Sequence, residues 1–487
     1  MAIDSRQHAN LSSFLSELTS LLPKHAVTTD PRELDRNAKD PSYHTPQRPY
    51  AVVSVSSEDE IVTTVKTCNK YAIPIIPSAG RTSLEGQVIP TSQIGITLDV
   101  SNMDKVIKIN EDDSDCVVQP GIGWMELREK LEPYGLFFPP DPGAAACVGG
   151  MCGTNCSGTL AWRYGTMKDN VLSLRVVLAN GTVIQTRRRA TKSSAGYDLT
   201  RLFVGSEGTL GVISQITLRL RRIPQAMSVA MIQYRGLDEA ALAVQNLVKA
   251  GIALHRMELM DTHAIRSVNL GRPTKDHFPE RVTLLLEFAA SSPETISQQI
   301  TAVQSICSQA ATHQSDFRFQ IGTNREEAER LWIVRKTAYF AAKNLRPELG
   351  GRARIMTTDS AVPVSRIREI LVRTREDLEG NGLTATILAH VGDGNFHVLL
   401  VIDSENPKEL ALAESFRVRN AALAISMDGT CTGEHGIGTG KIDLLKMELG
   451  EDAIELMRGI KGLVDPKGIM NPGKIFELRR DGEKAKL

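Results

Sequence analysis

The chain has 487 residues, with 57 basic side chains against 57 acidic ones and a hydrophobic fraction of 41%; single cores stop growing at roughly 250 to 300 residues, so two or more are expected. Zero net charge gives no electrostatic case for nucleic acid or an anionic membrane, and no apolar run approaches the ~18 residues of a membrane span. Seven cysteines in a chain this long point to reduced thiols and not to a disulfide framework.

In chain order, Leu11 to Leu22 reads as an amphipathic helix. The first residues mix Arg6 with Asp4 and Glu17, unlike an Arg-rich, acid-poor transit peptide. Ser57 and Glu60 make a capping box ahead of Ile61, Val62, Val65 and Cys68 at helical spacing. A strand over Ile73 to Ile76 then completes a β-α-β unit and runs into the Gly-rich loop PSAGRTSLEG, Pro77 to Gly86. Strands are predicted over Gln93 to Val100, Lys105 to Ile109 and Cys116 to Pro120, with a helix over Trp124 to Tyr134. A second loop follows from Ala144, rich in Gly, Ala, Cys and Ser. Residues this small are placed where the backbone must approach something bulky. Gly149, Gly150 and Gly153 do not form G-x-G-x-x-G, so a nicotinamide-binding reading fails. Two such loops suggest one large, phosphate-bearing ligand. Cys147, Cys152 and Cys156 lack the fourth thiolate of an iron-sulfur site and read as small buried residues. Asn180-Gly181 marks a hairpin between Leu174 to Leu178 and Thr182 to Thr186. Arg187 to Arg189 read as a solvated turn.

From Ala226 the texture changes to strands with longer helices: Leu237 to Ala250, Pro293 to Ser308, Arg325 to Asn344 and Val364 to Glu379. On the third of these Trp332, Arg335, Lys336 and Tyr339 lie about one turn apart; on residue grounds alone Arg335 reads as a surface charge. Thr384 to Ala389 and Val398 to Ile402 are β-type runs around HVGDGNFH, His390 to His397. A two-residue hairpin centred on Asp393-Gly394 would set residue 390 opposite 397, on one face, where two imidazoles share a metal. A third ligand should be a carboxylate or another histidine, and Glu434 and His435 are the candidates.

Four further segments narrow the reading: SAGYDLTRLFVGSEGTLGVI (Ser194 to Ile213), HVGDGNFH, GEHGIG (Gly433 to Gly438) and NPGKIF (Asn471 to Phe476). With the two Gly-rich loops they resemble the vanillyl-alcohol oxidase flavoprotein family, in the branch holding D-lactate dehydrogenase, glycolate oxidase and D-2-hydroxyglutarate dehydrogenase. The resemblance runs from about Pro49 to Phe476. It implies an α+β fold in which a two-subdomain FAD-binding domain is joined to an α+β cap. The expected parts are an N-terminal helical segment (1–47), the FAD-binding domain (48–224) and a cap or substrate domain with the metal-binding hairpin (225–430). A C-terminal segment (431–487) would complete the active site and pack back on the FAD domain.

The resemblance also implies roles. FAD, non-covalent because PSAGRTS holds no histidine, would rest on Pro77, Ser78, Ala79, Gly80, Arg81, Thr82 and Ser83. Pro142, Gly143, Gly149, Gly150, Cys152, Gly153, Thr154, Asn155, Ser157, Gly158, Tyr164 and Gly165 would form its second contact. Glu207, Gly208, Gly211, Val212, Ile213 and Asn471 would close the cradle. One divalent metal, zinc or manganese, would bind His390, His397 and Glu434, with His435 as base. Arg335 would hold the substrate carboxylate, and Trp332, Tyr339, Leu399 and His435 would line the pocket. Electrons would pass to an external acceptor such as cytochrome c or a quinone. A homodimer is left open, and the compartment is mitochondrial by resemblance, cytoplasmic as the alternative.

Substrate size follows from departures. The hydroxyglutarate branch places a lysine two residues before the aspartate of its D-x-S-x-P segment and an asparagine two residues after the second metal histidine. Here those places hold Thr357, before Asp359, and Leu399, after His397. D-lactate or D-2-hydroxybutyrate is therefore expected, unless Arg352 or Arg354 swings in to replace the lysine. D-2-hydroxyglutarate and glycolate are the alternatives within the branch. A non-redox flavoenzyme of the alkylglycerone-phosphate synthase kind is the alternative outside it.

Overall fold

The computed structural model describes residues 5–271, 277–322 and 325–477. The chain divides into two units: Met1–Ser157 with Thr166–Ile223 and Glu434–Leu487, and Gly158–Gly165 with Pro224–Gly433.

In the first unit a four-stranded sheet runs Val27–Thr28, Ala51–Ser54, Ile96–Asp99, Ile75–Ser78, with the last three strands mutually parallel. The strand expected over Ile73 to Ile76 sits two residues later because its pairing is set by Ile96–Asp99 and because Ala72 ends the preceding helix in the left-handed region. Ser57 caps that helix by accepting from Glu60 N at 3.3 Å, but the Glu60 carboxylate turns to Ser56 N at 2.8 Å, so only half of the expected box forms. The N-terminal helix Ser5–Leu21 belongs to this core: Leu11, Phe14 and Leu18 pack with Val53, Ile61, Val65 and Cys68. The second sheet has five antiparallel strands in the order Val106–Asn110, Asp115–Val118, Val212–Arg219, Val171–Val177, Val183–Gln185. Asn180-Gly181 joins the last two in sequence as its residue types predict.

The C-terminal segment is tied into this unit through buried polar groups. Lys461 donates from Nζ to Thr209 O and Met470 O, each at 2.6 Å, and to the buried Asp465 at 2.5 Å. Lys474 Nζ reaches Ile89 O at 2.6 Å. A lysine is rarely this buried unless its donors are all used.

The second unit is built on an eight-stranded antiparallel sheet. Its path is Arg318–Gly322, Ala226–Tyr234, Val282–Ala290, Arg256–Met260, Ala385–His390, Asn395–Asp403, Ala353–Thr357, and Ser360–Ala361 also pairs with Asn395–Asp403. Opposed residues share a face, and the registers Glu258↔Leu285, Met260↔Leu388, Leu388↔His397 and Thr357↔Leu399 put Arg256, Glu258, His390, His397, Leu399 and Thr357 on one of them. Helix Arg325–Ala341 covers that face, its Leu331, Trp332, Val334 and Ala338 packing with Leu388, Leu399 and Val401. Tyr234 points from the opposite face to Cys307 O in helix Pro293–Ala310.

The hairpin differs from expectation. His390 opposes Asn395 and Leu388 opposes His397, so residues 390 and 397 are not a rung and the loop is four residues, 391–394. The adjoining chain decides this: Val391 N is drawn to Met257 O at 3.1 Å, and Gly394 O accepts Val362 N at 3.1 Å. Slipping the centre by one residue moves the sum of paired numbers by two, which keeps both histidines on one face as diagonal neighbours.

Candidate active site

In the first unit, strand Ile75–Ser78 delivers the loop Pro77 to Ser83, which is moored by a segment that sequence reading treated as separate. Arg81, at φ +51°, donates to Asn37 Oδ1 at 2.8 Å, and Ser83 Oγ to Asp40 Oδ2 at 2.8 Å. The helix Val148–Thr154 carries Gly149 against Pro120, where a Cβ would come within 2.5 Å, while Gly150 and Gly153 border open space. Ser78 Oγ and Asn471 Oδ1 are buried with no hydrogen-bond partner among the described residues. Bare backbone facing space, with buried polar atoms left to be satisfied, fits a large polar ligand such as FAD. Burial pushes the Cys152 and Cys156 thiols well up from their ordinary value, which suits small packing residues and not thiolate chemistry.

The GEHGIG loop, as far as it belongs to this unit, is fastened from below. Glu207 accepts Ile437 N at 2.6 Å on one carboxylate oxygen and Gly438 N at 2.8 Å on the other. Gln87 donates to His435 O at 2.8 Å, and Asn471 Nδ2 donates to Glu207 O at 2.7 Å and Gln87 O at 3.1 Å. Gly436 lies at φ +78°, and a Cβ there would stand 2.5 Å from Glu207 Oε1, so only glycine fits beside the base candidate. Burial raises the Glu207 carboxyl to about 7 against the opposing pull of those backbone donors. The expected flavin residue Glu207 thus has its carboxylate committed to the loop, and Ser157 likewise gives its hydroxyl to Glu434 Oε2 at 2.7 Å. Asn155, in the left-handed region, accepts Lys168 N at 2.9 Å.

Gly158, Tyr164 and Gly165 fall in the second unit, where Tyr164 Oη lies 3.3 Å from His255 Nδ1. In that unit the rings of His390 and His397 sit 5.4 Å apart, centroid to centroid, nearly perpendicular. His390 Nδ1 lies 2.7 Å from Glu258 Oε1, and His397 Nδ1 lies 3.3 Å from Thr358 O and 3.6 Å from Asp359 Oδ1. Each imidazole therefore turns Nδ1 to an acceptor, as the ring nitrogen away from the metal does in metal-ligating histidines. Arg335 Nε donates to Glu258 Oε2 at 2.7 Å. Asp359 also accepts Asn395 Nδ2 at 2.8 Å and Thr432 Oγ1 at 2.8 Å. Trp332 is buried under the Arg256 guanidinium, 5.3 Å from its ring. Burial pushes the Tyr339 phenol up from its ordinary value, with Thr357 opposing the shift.

Sequence reading missed Glu258 and the role of Asp359. The available signal was an acidic residue between Met257 and Leu259 in the strand Arg256–Met260, since a buried charge needs a partner.

Residues 49–187 match the FAD binding domain model, and residues 223–475 match that of the FAD linked oxidases, C-terminal domain. The chain belongs to the FAD-linked oxidase family and is an FAD-dependent oxidoreductase of the vanillyl-alcohol oxidase fold. It is 43% identical to the mitochondrial D-lactate dehydrogenase [cytochrome] of Arabidopsis thaliana, over 95% of this chain and 80% of that one. The D-lactate dehydrogenase [cytochrome] of Kluyveromyces lactis is 37% identical over 98% and 84%, and glycolate oxidase subunit GlcD of Bacillus subtilis 32% over 88% and 89%. The resemblance to that branch is borne out. Among solved structures, p-cresol methylhydroxylase superposes with a TM-score of 0.77 at 17% identity over 97% of this chain and 98% of that one. Alkyldihydroxyacetonephosphate synthase does so with 0.72 at 18% over 95% and 84%; at these identities they share the fold alone.

Proposed function

We propose that this chain oxidises a short D-2-hydroxy acid, D-lactate to pyruvate, ahead of D-2-hydroxyglutarate, glycolate or L-lactate. The observation that carries the choice of substrate is the Thr357–Leu399 rung, which offers a second substrate carboxylate neither cation nor amide. Burying that carboxylate unpaired would cost several kcal/mol, and a methyl group avoids the cost.

His390 and His397 with Glu434 would hold one divalent metal, zinc or manganese, since mixed N and O ligation does not select strongly between them. Support comes from the approach of the two imidazoles on one sheet face, 5.4 Å apart with each Nδ1 turned to an acceptor, and from chain continuity: Gly433, one peptide bond before Glu434, packs on the Asn395 side chain, two residues from His397. Non-covalent FAD would rest on the loops Pro77 to Ser83, Gly149 to Ser157 and Glu207 to Ile213, with Asn471. When bound, FAD supplies the electron sink for the oxidation and the metal supplies Lewis acidity toward the hydroxy acid.

The chain's own residues do the rest. Arg335 presents its terminal nitrogens to the substrate carboxylate, a planar fork matched to two oxygens. His435 takes the hydroxyl proton; Gln87 holds its backbone carbonyl and Glu207 holds the N–H groups of Ile437 and Gly438 just beyond, so that the imidazole keeps its place. Leu399, Trp332 and Tyr339 bound the tail. Electrons would leave to cytochrome c or a quinone, and the mitochondrion is the compartment named for the Arabidopsis thaliana and Kluyveromyces lactis relatives. The likeness to alkyldihydroxyacetonephosphate synthase supports no non-redox reading, because it concerns the fold alone. Anaerobic addition of D-lactate should bleach the yellow protein; persistent colour under D-lactate, with bleaching by another hydroxy acid, would reject the substrate.

A further inference from the structure

The carboxylate of Glu258 is fully buried and stands between two groups to which the proposed chemistry gives different tasks. Oε1 lies 2.7 Å from His390 Nδ1 and Oε2 lies 2.7 Å from Arg335 Nε. We infer that Glu258 is a positioning residue that couples the two, fixing the metal ligand and the substrate-binding arginine in one geometry. The inference rests on the roles proposed above for His390 and Arg335.

An ionised carboxylate only accepts hydrogen bonds, so His390 Nδ1 must carry the ring proton and Nε2 is left with its lone pair. The tautomer needed for ligation is thereby set before any metal arrives. On the other oxygen, Arg335 is engaged through Nε alone, and it makes no other hydrogen bond or ion pair with the described residues. Its terminal nitrogens keep their donors for an incoming carboxylate, while the Nε contact restricts the side-chain rotamer. Register places the carboxylate where it can serve both: Glu258 and His390 project from the same sheet face on adjacent strands, and Arg335 descends from the helix that covers it. His397 does not share this device, because its Nδ1 faces Thr358 O and Asp359. The two imidazoles are thus oriented by separate groups, and only that of His390 is linked to the substrate arginine.

The test is Glu258→Gln, which keeps the shape but has one acceptor oxygen, so it cannot accept from both Arg335 Nε and His390 Nδ1 and no longer fixes the ligating tautomer. Metal-stripped, FAD-loaded protein is titrated with Zn²⁺ or Mn²⁺ against a chromogenic chelator, and KM for D-lactate is measured separately. Metal affinity should fall by about 10- to 100-fold and KM should rise in the same variant, with FAD content unchanged. Arg335→Ala should raise KM and leave metal affinity within about twofold of wild type, and should add less to KM in the Glu258→Gln background than alone. Should Glu258→Gln not accumulate as folded protein, Glu258→Asp, which keeps the charge but retracts it by one methylene, should show the same paired loss. Wild-type metal binding with an unaffected variant, or strictly additive effects of Glu258→Gln and Arg335→Ala on KM, overturns this inference and leaves the metal reading standing. Wild-type protein that takes up no metal overturns both.

Discussion

Thr357 and Leu399 stand directly opposed on neighbouring antiparallel strands, and Tyr339 packs on the same cluster as Leu399 from the helix that covers them. The two positions at which this chain departs from the hydroxyglutarate pattern are therefore one place in space. Neither expected substitute reaches it: Arg352 is paired with Asp403, and Arg354 is one residue out of phase with Thr357, exposed on the other face of the sheet. D-lactate should be preferred to D-2-hydroxyglutarate in kcat/KM with an artificial acceptor, and Thr357→Lys combined with Leu399→Asn should move that ratio toward the diacid by tenfold or more, about 1.4 kcal/mol. A wild-type preference for D-2-hydroxyglutarate of tenfold would sink the substrate assignment.

His435→Ala should slow flavin reduction by D-lactate by about 10²- to 10⁴-fold, the range of a lost general base. FAD and metal content should be unchanged, since Glu207 and Gln87 hold that loop by its backbone. Stopped-flow absorbance under anaerobic conditions decides it; a near wild-type rate would move the base elsewhere.

Glu207 gives a pH signature. Its carboxyl titrates at about 7 in the folded chain against 4.5 for an unperturbed glutamate. A raised folded value means that the folded state holds the proton more tightly, so this contribution to stability is fully present below about 4.5 and is lost as pH rises through about 7. Glu207→Gln should remove that component, and Tm measured from pH 4.5 to 7.5 should fall less steeply with rising pH in the variant than in wild type.

Lys461→Met should destabilise by about 3–5 kcal/mol, because it leaves the buried Asp465 carboxylate without its cation. Lys461→Met with Asp465→Asn should recover part of that loss. Chemical denaturation with matched m-values is the measurement, and an equal loss in both variants would assign the effect to the Lys461 contacts with Thr209 O and Met470 O.

Acid precipitation should release the flavin colour into the supernatant, as expected where the thiols nearest the second loop are held protonated by burial. Colour retained in the pellet would identify a covalent link.

What the sequence by itself determined is local. Hairpin Asn180-Gly181, helices such as Leu237–Lys249, the Gly-rich loops and the short motifs all follow from periodicity, backbone freedom and residue type, which act within a few residues. The family resemblance rested on such segments too. Tertiary structure decided what depends on a neighbour in space. The hairpin at His390 shifted register because Met257 and Val362 compete for its backbone. Glu258 acquired a role only when its strand lay beside Ala385–His390 with a helix above, and Glu207 became a fastener because Ile437 and Gly438 came to it from 230 and 231 residues away. A buried carboxylate takes its function from the donors around it, and those are chosen by the packing of distant segments.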